Sequence, residues 1–294
     1  MQIDKKNLQL TLRKIKKDKK GKYYIQTKFE ALRWYISSEA RIKKRTENKN
    51  LLGELNDVIS CYDSIKTLIE RINFEKKQLV DGTINLDRYH AHVPLDIAFV
   101  HVKARSIFEK IKQVILEVYE DEQSLKKHNY TGIIKLSEND RIKNKELVSL
   151  IKSSREWFHL IKEVRDDIIH IERTTDWKIL VFQGLEEEEQ ITFQIYQKTD
   201  QGEKPKIISP LKTDYGEIEL PTEFMYNENS VIIFNNYTIY FLSYLTEYLE
   251  KLAEIIIKKT KISNEKINEK LDNHYNYYGV ETMKKWIEEL LKII

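Results

Sequence analysis

Apolar residues recur along most of this chain at intervals of three and four, the spacing that lays one greasy stripe along an α-helix. Between residues 51 and 80 the rhythm runs through Leu55, Val58, Ile59, Tyr62, Ile65, Leu68 and Ile69, predicting one long amphipathic helix that ends at the turn Asp81-Gly82-Thr83. An earlier helix is predicted over residues 23–45, where Phe29, Leu32, Trp34 and Ile36 stand among charges. A loop with Asn85, His90 and His92 leads to Pro94, which is suited to open the next helix, and Ile97, Val100, Ala104, Ile107, Phe108, Ile111 and Ile115 carry it to about residue 120. After a polar break over residues 121–139, a helix beginning near Ser137 or Asp140 reaches about Thr174.

The period then changes to two. Trp177, Ile179 and Val181 alternate with their neighbours, as do Ile191, Phe193 and Ile195, which predicts two strands separated by the acidic turn Glu186–Glu189. Pro205, Pro210 and Pro221 follow, so residues 176–225 read as a small β hairpin or sheet inserted between helices. Helical spacing returns over 230–261 and 281–294. The expected chain is mainly α. Residues 1–50 form a basic N-terminal arm, extended or loosely helical to residue 22, with a first helix. Residues 51–261 form a helical bundle with the β insertion, and 262–294 a C-terminal helical extension.

Composition agrees with this. Of 294 residues only 8 are Gly and 4 are Pro, which disfavours a many-stranded sandwich, and 33% are charged, which suits long solvated helices. The single Cys61 rules out an internal disulfide and fits a reducing cytoplasm. No apolar segment typical of a secretory signal follows the first residues, and the greasiest stretch, residues 231–249, is interrupted by Asn235, Asn236 and Glu247, so a buried core helix is expected rather than a membrane span.

Charge is distributed unevenly. Residues 1–50 hold 16 Lys or Arg against 5 Asp or Glu, a net +11 inside a chain whose total is +3. Arg13, Lys14, Lys16 and Lys17 lie in the densest part and, with Arg173, are candidates for contact with RNA.

One helix carries candidate chemistry. On a helical wheel Trp157, Leu160, Ile161, Val164, Ile168 and Ile171 gather on one side. The opposite arc holds Arg155, His159, Lys162, Glu163, Arg165, Asp166, His170 and Arg173, with Phe158 and Ile169 intruding. Asp166 and His170 are four apart and share a face, so the carboxylate can orient the imidazole. Arg165 and His170 are five apart and diverge by about 140° around the axis. One straight helix does not close both on a single phosphate, whereas a two-fold copy would bring both pairs into one cleft.

Arg165-Asp166-x-x-x-His170 resembles the R-x(4–6)-H motif of the HEPN superfamily of helical ribonucleases and nucleotide-binding domains, in which a polar residue commonly follows the arginine. The resemblance implies a HEPN-like bundle of four or five helices, with the β insertion as an addition. It also implies a metal-independent endoribonuclease that works as a homodimer without a cofactor. His170 would move the proton, Arg165 would clamp the phosphate, and Asp166 would hold the imidazole. The biology it implies is toxin–antitoxin or antiviral defence, with an antitoxin or defence protein as a further partner. A catalytically inactive HEPN-like module that binds RNA, nucleotide or a partner is the alternative, and an unrelated helical scaffold a third reading.

Other patterns point elsewhere. In an extended segment His90 and His92 would share a side and, with Asp87 or Asp96, could bind a metal, although a loop leading into a helix explains them as well. His101 and Arg105 fit a helix-surface pair. Tyr275, Tyr277 and Tyr278 suit packing or base stacking. There is no glycine-rich phosphate loop, G-x-S-x-G elbow or C-x-x-C pair.

Overall fold

The computed structural model describes the chain apart from residues 1–3, 44–48, 120, 170–176, 183–190, 200–201, 206–209, 214–215, 227–230, 272 and 274–275. The described residues form eleven α-helices and a small antiparallel sheet, with two short hairpins.

The spine is an antiparallel pair, α3 (Lys49–Val80) and α4 (Leu86–Val118). Ion pairs Asp57–Lys110 and Arg71–Asp96 and the polar contact Glu75–His92 cross between them at offsets symmetric about the connecting turn. Gly82 adopts φ +69° in that turn, where a side chain would be strained. Asn85 opens α4 by accepting the Arg88 N–H at 2.9 Å. The helix therefore begins eight residues before Pro94, which lies inside it, and His90 and His92 sit on helix rather than in an extended loop. An interior proline removes a hydrogen bond and costs about 3 kcal/mol. Burial of Tyr89, Val93, Ile97 and Val100 on the same face offsets it.

The predicted break at 121–139 contains two further helices, α5 (Gln123–Lys126) and α6 (Tyr130–Glu138). The long helix expected to follow is two, α7 (Lys145–Ser153) and α8 (Arg155–Ile169), parted at Ser154. The Ser154 hydroxyl is fully buried and donates to the Ile151 carbonyl at 2.7 Å. It also lies 3.0 Å from the Tyr130 hydroxyl, which meets that of Tyr248 at 2.8 Å, so the interruption is fixed by a buried polar chain.

The core helix α9 (Phe234–Thr260) ends with Lys261 in the left-handed region, φ +55°. Trp157 of α8 packs among Tyr237, Tyr240, Phe241 and Tyr244 of α9, and Phe108 of α4 packs against Phe158 and Tyr248. Tyr62 of α3 bonds Thr246 of α9 at 2.6 Å. Helices α3, α4, α8 and α9 thus surround one aromatic-rich core. No helix among the described residues is long and apolar enough to cross a membrane.

Strand β3 (Trp177–Phe182) pairs antiparallel with β4 (Thr192–Thr199) in the register Ile179 to Ile195. Strand β5 (Gly202–Pro205) pairs with β4, β6 (Leu211–Thr213) pairs with β7 (Gly216–Ile218) as a separate hairpin, and β8 (Met225–Tyr226) and β9 (Val231–Ile233) extend the main sheet in the order β3-β4-β9-β8. The sheet closes one end of the bundle, where Phe193 meets Phe234, Tyr237 and His101 edge-on.

The N-terminal segment is not an extended arm. Residues Lys5–Lys14 form α1, whose Leu8 and Thr11 are fully buried against α9, and Thr11 donates to the Ser243 carbonyl at 3.3 Å. A hairpin of β1 (Ile15–Lys17) and β2 (Tyr23–Ile25) follows, then α2 (Lys28–Lys43). The chain finishes with α10 (Asn264–Leu271) and α11 (Val280–Ile293). Ile25 bridges to Asn276, whose side chain contacts Asp63 and the buried Lys66. Lys66 in turn pairs with Asp63 at 2.9 Å.

Candidate active site

Helix α8 presents its apolar stripe to α4 and α9. Trp157, Leu160, Ile161 and Val164 are all buried. The buried arc is wider than the wheel predicts, because His159 and Phe158 are also enclosed, at 2% and 0% exposure. Neighbours cover the helix on several sides, so two positions assigned to the polar arc and its margin join the core. Arg155 stays near the surface and pairs with Glu138 at 3.1 Å.

Arg165 and Asp166 lie at the partly exposed margin of the C-terminal half of α8. The Arg165 Nη1 donates to Asp166 Oδ1 at 2.8 Å. Lys162, one turn earlier, reaches Asp166 Oδ2 at 3.1 Å and Glu163 at 3.4 Å. Partial burial pushes the Asp166 carboxyl up, but donors from Arg165 and Lys162 outweigh it and leave the group below its ordinary value, hence ionised. Burial draws Lys162 down, while Asp166 and Glu163 raise it further, so it stays charged. Each oxygen of Asp166 therefore already carries a cationic donor. With one nitrogen on Asp166, the rest of the guanidinium fork is chemically suited to grip an anionic oxygen pair. His170 and Arg173 lie outside the described residues, and so do Glu186–Glu189 and Tyr275.

His101 is not on the surface. It is fully buried, stacks on Tyr237 with centroids 5.6 Å apart, and holds the Ile97 carbonyl at 2.8 Å through Nδ1. A carbonyl only accepts, so Nδ1 bears the proton and Nε2 accepts from the Tyr237 hydroxyl at 3.1 Å. Burial brings its pKa from 6.5 down to about 4, against the upward pull of the Ile97 bond, so the ring is neutral. The sequence held the signal for this: His101 continues the spacing Ile97, Ala104, Phe108 on the apolar face. Arg105 lies over the Phe158 ring at 4.5 Å and pairs with Glu109 at 2.8 Å.

Among the basic candidates, Arg13, Lys16 and Lys17 are exposed. Lys14 is instead committed to the buried Glu247 of α9, because a carboxylate there needs a counter-charge. His90 is exposed and His92 meets Glu75 at 3.3 Å. Among the described residues no group of three or more His, Cys, Asp or Glu is placed to hold a metal ion. Polar positions that the sequence did not single out line a cavity of about 850 Å³ between α3, α9, α11 and the β1–β2 hairpin, among them Lys76, Lys77, Lys284 and Lys285. No family model, characterised protein or solved structure matches this chain.

Proposed function

We propose that the chain is an endoribonuclease of HEPN type, acting without a metal as a homodimer, in toxin–antitoxin or antiviral defence. The observation that carries the reading is the Arg165–Asp166 pair: a guanidinium about one-third exposed, steadied by an ionised carboxylate, on a helix whose other face is locked into the core. In the reaction, His170 takes the proton of an RNA 2′-hydroxyl. The freed oxygen attacks the adjacent phosphorus, the bond to the 5′-oxygen breaks and that oxygen takes the proton back from the imidazolium, leaving a 2′,3′-cyclic phosphate and a 5′-hydroxyl. Arg165 neutralises the charge that builds on the phosphoryl oxygens. A two-fold partner supplies the second Arg165 and His170 across a shared cleft.

The alternative reading, a catalytically inactive HEPN-like module that binds RNA, nucleotide or a partner, draws on a specific contact: Asp166 is already engaged by Arg165 and Lys162 rather than reserved for an imidazole. Wild type, Arg165→Ala and His170→Ala incubated with RNA in EDTA separate the two. Cyclic-phosphate ends with wild type and their loss in both variants, with unchanged dimer mass, support the nuclease. Binding without cleavage by wild type supports the module.

A further inference from the structure

Two cations of α8 divide one carboxylate between them. Lys162 and Asp166 stand one turn apart and share a face, while Arg165 flanks Asp166 directly. Asp166 Oδ1 accepts from Arg165 Nη1 at 2.8 Å, and Oδ2 meets Lys162 Nζ at 3.1 Å. Lys162 also lies 3.4 Å from Glu163, so the four side chains balance in charge. What distinguishes them is which atom holds which.

That division decides what is left of Arg165. A carboxylate beside a guanidinium readily takes it bidentately, one oxygen on each of two parallel N–H groups. Such a clasp fills the edge of the fork that a phosphate also needs. Here one oxygen of Asp166 is on Arg165 and the other is held away from it by Lys162. Among the described residues no further acceptor takes the remaining guanidinium nitrogens. Arg165 is thus steadied at one corner and open at the others, with 35% of its side chain exposed. Arg155, earlier on the same polar arc, is committed to Glu138 at 3.1 Å and does not substitute for Lys162.

We propose that Lys162 is a positioning residue: by holding Asp166 Oδ2 it confines that carboxylate to one corner of the Arg165 guanidinium and keeps the rest of the fork free for a phosphate. The phosphate rests on the ribonuclease reading, whereas the hold on Asp166 does not. The test is modification of Arg165 by phenylglyoxal, which needs an open guanidinium, timed by peptide mass spectrometry. Lys162→Met lets Asp166 close on two nitrogens and is expected to slow the reaction at Arg165 by about two- to fivefold, the range of a partly exposed ion pair. Lys162→Arg is expected to keep the wild-type rate. Two double variants, Lys162→Met with Asp166→Asn and Lys162→Met with Glu163→Gln, both carry the wild-type net charge. An effect of charge alone recovers in both, and the proposed one only with Asp166→Asn. These side chains are partly exposed, so the fold should persist, which circular dichroism checks. An unchanged rate in Lys162→Met, or equal recovery in the two double variants, overturns the proposal. With RNA as substrate the same order of variants is expected in cleavage rate. Wild type that never cuts RNA refutes the ribonuclease reading, and the modification rates still decide the role of Lys162.

Discussion

Acidification should test the interior of the bundle through His101. The folded ring stays neutral down to pH about 4, whereas the unfolded ring takes a proton near 6.5. Between these values the unfolded chain binds one proton more, so this residue makes stability fall as pH falls, by about 1.4 kcal/mol per pH unit and about 3 kcal/mol in all. Glu250 acts in the opposite sense. Burial, reinforced by Glu247 against the pull of Lys14 and the Lys28 N–H, raises it from 4.5 to about 7. Over that window the folded chain binds the extra proton, so its contribution is present below 4.5 and is lost as pH rises to 7. The two contributions oppose each other between about 4.5 and 6.5, so the wild-type curve alone does not isolate either. His101→Phe removes one of them. It also deprives the Tyr237 hydroxyl of its acceptor, a pH-independent loss of about 1–3 kcal/mol. Urea denaturation of wild type and His101→Phe at half-unit pH steps isolates the term as their difference, which should shrink by about 3 kcal/mol from pH 6.5 to 4. A difference that holds constant with pH refutes the buried neutral imidazole.

Three substitutions address packing. Gly279 sits at φ +64° and a Cβ there would stand 2.9 Å from that of Lys66. Gly279→Ala should destabilise by about 1–3 kcal/mol, read as a shift in denaturation midpoint at unchanged m. Phe158→Ala empties a fully buried site touching Phe108 and Tyr130, and should remove about 3–5 kcal/mol by calorimetry or denaturant titration. Asn144→Ala deletes the cap that accepts the Leu147 N–H at 2.8 Å, with an expected loss near 1 kcal/mol and faster amide exchange confined to the first turn of α7.

The hydrophobic rhythm alone located α3, α9, α11 and the strands β3 and β4, because each keeps a clean period of 3.6 or 2 over its length. It misplaced what tertiary contacts decide. Pro94 read as a helix start, yet the buried run from Tyr89 to Val100 carries the helix through it. Ser154 read as one more helical residue, but its hydroxyl answers Tyr130, distant in sequence. Leu8 and Thr11 were hidden among lysines, so the burial of α1 was not visible. Of the candidate site, Arg165 and Asp166 were legible from adjacency. The third member of their cluster, Lys162, shares their face but was indistinguishable from any solvated lysine until its 3.1 Å contact with Asp166 placed it.

Ile25 bridges to Asn276, Asp4 bonds Tyr240, and Lys14 reaches Glu247, so residues 4–25 are stitched to partners more than 200 positions away. A ribosome must pass residue 276 before all these contacts can form, and such long loops close slowly. Until then the apolar stripe of α1 has no seat. A product that stops before residue 240 lacks most of α9, and with it the surface against which Leu8 and Thr11 are buried.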